Sequence, residues 1–163
     1  MNKMVISAAA IAMATTNFMA SAQNGFNYNV DRFADIEVLR YQVPGFEELS
    51  LKQKKLVYFL TEAALQGRDI LFDQNGKYNL AIRTTLENIY TSYKGDRSSK
   101  DFKGLEKYLK QVWFANGIHH HYSMDKFVPE FSNSFFTEQV KKLGKKNLPL
   151  AKGQSVDAFI KEI

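Results

Sequence analysis

The chain has 163 residues, 45% of them apolar and 13% aromatic, enough for one domain with a packed core and too few for two comfortable ones. Its formal charge of +5 is dispersed, with acidic residues interspersed among basic ones from Asp31 to Glu138, so it argues against a nucleic-acid partner, which would draw Lys and Arg onto one element. There is no cysteine, so no disulfide can staple the chain and its stability must come from packing.

Met1 to Met4 form a short positive start, Val5 to Ala14 an apolar, Ala-rich run, and Ala20-Ser21-Ala22 a small-residue site of the kind a signal peptidase reads. Residues 1–22 are therefore expected to be a secretory signal cut before Gln23, leaving an exported protein, periplasmic or secreted. Thr15, Thr16 and Asn17 interrupt the apolar run well short of the ~20 residues a membrane span needs. No stable membrane insertion is expected once the signal is removed.

Beyond the expected cut, Asn24 to Arg32 reads as a polar lead-in. Ile36 to Val43 is β-branched and aromatic and reads as one extended strand, stopped by Pro44-Gly45. A lone strand needs a partner, and no second strand is evident. Ser50-Leu51-Lys52-Gln53 has the form of a capping box. The helix it opens carries Leu56, Leu60, Ala63, Ala64 and Gly67 on one side, with a short helical turn from Asp69 to Phe72 after the Gly67 break.

Tyr78, Ile82, Leu86, Ile89 and Tyr93 recur at helical spacing, with Asn75 placed to cap the start and Gly95 to end it. Ser98-Ser99-Lys100-Asp101 opens another helix with a serine cap and an acid in its first turn. Its apolar face is Phe102, Leu105, Leu109, Val112 and Trp113, and Asn116-Gly117 closes it. After Pro129 a further helix begins at Ser132 or Ser134 and ends at Gly144. Its C-terminal side carries the densest basic run, Lys141-Lys142 with Lys145-Lys146, where cations suit the helix dipole. Ser155 caps a last helix whose apolar residues Val156, Phe159, Ile160 and Ile163 run to the final position. The fold class expected is mainly α: a multi-helix subdomain with one N-terminal extended strand.

All three histidines lie in the connection from Asn116 to Pro129. Zinc requires three or four donors converging on one point, and three adjacent histidines do not supply that. In an extended segment His119 and His121 share a side while His120 faces away. With no His-Glu-x-x-His, no Gly-x-Ser-x-Gly and no phosphate-binding glycine loop, no catalytic residue and no metal ligand is assigned. Glu62, Asp69 and Glu87 read as solvated or ion-paired helix residues, and Arg68-Asp69, at a helix break, could border a cleft. Phe127 and Val128 read as packing residues. Tyr122, with an apolar body and a polar tip on a loop between rigid helices, is a candidate ligand contact.

The run from Ala34-Asp35-Ile36 to Pro44-Gly45-Phe46, together with Ala63-Ala64-Leu65-Gln66-Gly67-Arg68-Asp69-Ile70-Leu71, Tyr93-Lys94-Gly95-Asp96-Arg97 and Lys126-Phe127-Val128-Pro129, resembles the N-terminal region of the dipeptidyl peptidase III family, in its bacterial branch. The resemblance covers essentially all of the chain after residue 22. It implies part of a larger, two-lobed α+β zinc exopeptidase that releases dipeptides from the N-termini of oligopeptides. The family's zinc helix, His-Glu-x-x-Gly-His, has no counterpart here, so the zinc ligands and the activating Glu are not carried over. What the resemblance implies for this chain is a non-catalytic wall of the peptide cleft, with Tyr122 and, more remotely, His121 as substrate contacts. The alternative is a stand-alone exported helical binding module that uses the histidine loop.

Overall fold

The computed structural model describes residues 25–163, and the expected signal peptide, residues 1–22, lies outside the described residues. The architecture is mainly helical, with a small two-stranded antiparallel hairpin near its start. The strands are β1 (Asn29–Phe33) and β2 (Ile36–Leu39). The helices are α1 (Leu51–Gln66), α2 (Arg68–Gln74), α3 (Asn79–Ser92), α4 (Lys100–Ala115), α5 (Asn133–Leu143) and α6 (Val156–Glu162).

The hairpin corrects the expectation of a single strand. The segment taken as a polar lead-in supplies the partner: Phe33 pairs with Ile36 and Asn29 with Leu39 across a turn at Ala34-Asp35. Composition hid this, because Asn29, Asp31 and Arg32 disfavour strands in isolation, and only the cross-strand ladder recruits them. The second strand also ends at Leu39 and not at Val43, with one further bond beyond it, from the Arg40 amide to the Tyr28 carbonyl at 2.9 Å. Ile36 is the hairpin's anchor, 5% exposed. Asp31 Oδ2 lies 2.7 Å from Lys110 Nζ, which ties β1 to α4.

The helix caps follow the sequence closely. Ser50 and Gln53 make both bonds of the capping box at α1. Ser99, Ser132 and Ser155 each accept the amide three residues on, at Phe102, Phe135 and Ala158. Asn116 ends α4 in the left-handed conformation, φ 53°. The start of α3 differs from expectation. Tyr78 is its N-cap without a side-chain bond, while Asn75 turns away and donates to the Asn116 carbonyl, 3.1 Å. The helix ends when Tyr93 becomes extended, two residues before Gly95.

The core lies between α3, α4 and α5. Leu86, Ile89, Leu105, Leu109, Val112 and Val140 are all 1% exposed or less. At α4 the approach is close: a Cβ on Gly104 would stand 2.8 Å from the backbone carbonyl of Glu130, so the absent side chain lets the segment after Pro129 cross the helix. Helix α6 closes the other side with Phe159, 2% exposed, and Val156, Ile160 and Ile163 pack on the same core. The apolar end of the chain therefore has partners within the described residues.

Helix α1 is the exception to this packing. It contains no buried residue. Leu51, Leu56, Val57, Tyr58, Phe59, Leu60 and Leu65 are all exposed, and Ile70 and Leu71 continue the surface onto α2. These positions encircle the helix and do not form the single stripe expected from Leu56, Leu60, Ala63 and Ala64. Lys52 to Lys55 make the first turn polar and Thr61, Glu62 and Gln66 follow, so the exposed apolar surface of α1 is concentrated in its middle, from Leu56 to Leu60. At 16 residues α1 is too short to span a bilayer, and no described helix is long and apolar enough to do so.

Candidate functional site

The connection between α4 and α5 is a tight hairpin-like loop. The Phe127 amide donates to the Ile118 carbonyl (2.9 Å), His119 and Lys126 form an antiparallel bridge, and the His120 amide donates to the Asp125 carbonyl (2.7 Å). Its tip, Tyr122 to Met124, turns through the left-handed conformation of Met124, φ 63°. The base is pinned by buried Asn79, whose Oδ1 accepts from the Ile118 amide at 3.3 Å. Gly117 leaves room for that side chain, since a Cβ there would meet Asn79 Nδ2 at 2.4 Å.

His120 organises the tip. Its Nδ1 lies 3.2 Å from the amides of both Tyr122 and Ser123, and its Nε2 lies 3.1 Å from Asp35 Oδ2 in the turn of the β-hairpin. Two N–H donors can converge only on an unprotonated nitrogen, so Nδ1 is the acceptor and Nε2 carries the proton that Asp35 receives. The Asp35 carboxyl is held below its ordinary pKa, chiefly by this bond from His120. Neither nitrogen of His120 is left for a metal. Among the described residues no group of three or more His, Asp or Glu side chains could hold an ion, so the site does not fit zinc.

The two residues proposed from the sequence as substrate contacts are brought together. The His121 ring sits edge-on to Phe114 at 4.9 Å and against Tyr122 at 4.2 Å, forming an aromatic row that leads off the end of α4. Tyr122 is 86% exposed and reaches outward. Phe127 packs toward the core as expected, but Val128 is 80% exposed, a correction. The residue before a proline is held extended, and here that backbone turns the Val128 side chain away from the helices. Beside the loop lies a cavity of about 210 Å³, lined in part by Asn75, Asn79, His119 and Met124.

A second polar cluster occupies the face between α2, α3 and α4. Arg83, with its side chain 8% exposed, places Nη2 at 2.6 Å from Asp69 Oδ1 and stacks its guanidinium 4.6 Å from the Phe72 ring centre. Glu87 receives the Trp113 indole N–H at 2.7 Å, and Arg68 lies 3.7 Å from the same oxygen. Arg68, Asp69 and Glu87 are thus ion-paired, as the bland reading held. They brace α2 against α3, and Arg68-Asp69 lies within that brace.

Sequence reasoning missed His120 and Asp35. They stand 85 positions apart, and the only local signal was the Ser123-x-Asp125 turn chemistry at the tip. No protein-family model matches the chain, and no curated protein matches it significantly. The likeness to dipeptidyl peptidase III therefore stands on the quoted sequence runs alone.

Proposed function

We propose that this chain forms the N-terminal, non-catalytic wall of an exported dipeptidyl peptidase III-type exopeptidase, contributing peptide contacts through the Tyr122 tip. The observation that carries the proposal is α1. A helix whose exposed apolar residues, Leu56 to Leu60 and Leu65, lie outside the core suits a chain that is covered by further polypeptide, as a lobe of a two-lobed enzyme would be. The tip of the loop, with exposed Tyr122 tilted against His121, offers an aromatic surface to an oligopeptide. Zinc chemistry, on this reading, belongs wholly to sequence beyond these residues. The signal-like start and an exported, periplasmic or secreted location belong to the same proposal.

A second reading has its own support. The β-strand has its partner in β1, and the apolar residues of α6 are packed, so the helical body completes its own core. A stand-alone exported binding module with the histidine loop as its contact surface is consistent with that body.

Reading the gene onward from the codon for Ile163 separates the two. The first proposal expects a His-Glu-x-x-Gly-His segment in the same frame, and an immediate stop codon favours the second. In the extended enzyme, Tyr122→Ala should raise KM for tetra-alanine about tenfold, the loss of one aromatic contact, with kcat changed far less. An unchanged KM removes Tyr122 from the peptide site.

A further inference from the structure

We infer that His120 is a protonation-sensitive latch that holds the Tyr122–Met124 tip closed only while its ring is neutral. The geometry of the closed tip sets this, whatever the tip contacts. Closure uses Nδ1 as the acceptor for two backbone amides, those of Tyr122 and Ser123, each at 3.2 Å. A proton on Nδ1 replaces that acceptor with a third donor aimed at two others, so both amides lose their partner within the loop and turn to solvent. Backbone strain compounds the effect, because Met124 holds φ 63° and is retained by its amide's bond to the His120 carbonyl at 3.2 Å. With the cap gone, the tip has reason to relax.

The charged and titratable groups around the ring come from two elements. Asp35, in the β-hairpin turn, faces Nε2 at 3.1 Å and favours the protonated ring. Its side chain is 64% exposed, so solvent screens that attraction, and it acts at the nitrogen that already carries a proton in the closed state. On the loop itself, the His121 ring centre lies 4.4 Å away and opposes a second nearby positive charge when it too is protonated. Asp125 meets His120 through its backbone carbonyl. The neighbouring Phe127 and Tyr122 rings are apolar contacts, at 6.1 and 6.2 Å. The geometry at Nδ1 thus favours opening once the ring gains a second proton.

The test is backbone ¹⁵N relaxation on the full chain at pH 8 and pH 5. The order parameters of Tyr122 and Ser123 should fall from about 0.85, the value of rigid backbone, to below about 0.6, while those of α3 and α4 stay constant. His120→Asn supplies a carboxamide oxygen near the position of Nδ1 that accepts amides without titrating, as in an Asx turn. It should keep the tip ordered at both pH values with His119 and His121 left in place. Asp35→Asn makes the ring harder to protonate and should move the loosening to lower pH. Unchanged order parameters in the unmodified chain, or the same loss of order in His120→Asn, would overturn the latch.

Discussion

Gly104 shows how one residue decides a contact between distant segments. Its missing Cβ leaves the space through which the Glu130-Phe131 backbone crosses α4, with a separation of 2.8 Å that no side chain can occupy. Alanine in mid-helix ordinarily stabilises by about 1 kcal/mol over glycine. Here the clash is with backbone, and overpacking of this kind costs about 1–3 kcal/mol or more, so the sign reverses. Gly104→Ala should lower unfolding stability by up to about 2 kcal/mol in urea titrations, the cost less the propensity gain. A stabilised variant would mean that the segment after Pro129 moves away freely. His120 belongs to the same scale: its neighbours in sequence say nothing of Asp35, yet the pair sets which nitrogen bears the proton.

At the scale of elements, α1 and α3 form an instructive contrast. Helix α1 begins and ends where its caps indicate, whereas α3 starts after Tyr78 and not at an Asn75 cap. The apolar residues of α3 meet α4 and α5, and its core positions Ile82, Leu86 and Ile89 are buried. Those of α1 meet water. The single buried stripe expected of α1 is not found, because periodicity reports that a helix exists and not what covers it. Leu56→Lys with Leu60→Lys should therefore leave the stability of the isolated chain within about 0.5 kcal/mol per site, as exposed substitutions do, and reduce its self-association in sedimentation velocity. A loss of several kcal/mol would show that α1 is packed in solution.

For the molecule as a whole, the union of hairpin and helical body rests on few groups. These are buried Ile36, the His120–Asp35 bond, and the Asp31–Lys110 pair with Phe33 beneath Lys110 Nζ at 5.8 Å. The Asp31 carboxyl is held below its usual range, first by the hydrogen bond from Lys110, and the Lys110 ammonium is correspondingly raised by Asp31. A depressed carboxylate contributes stability that is present above the unfolded pKa of about 3.9 and lost as pH falls through the lower folded value. Docking of the hairpin should accordingly persist down to about pH 4 and weaken below it, seen as loss of NOEs between Phe33 and Lys110. Lys110→Met should remove that acid-dependent step. A hairpin still docked at pH 2.5 in the unmodified chain would assign the union to Ile36 and its apolar neighbours.

What the amino-acid order determined by itself was local: the serine caps, the left-handed stop at Asn116, and the buried faces of α3 and α4. Each follows from interactions within a few residues, which spacing reports directly. Tertiary structure alone decided the partner of the β-strand, the exposure of α1, the passage over Gly104 and the fixing of His120 by Asp35. Those depend on groups dozens of positions apart that fall within bonding distance only after the chain has folded. No local period carries their signature.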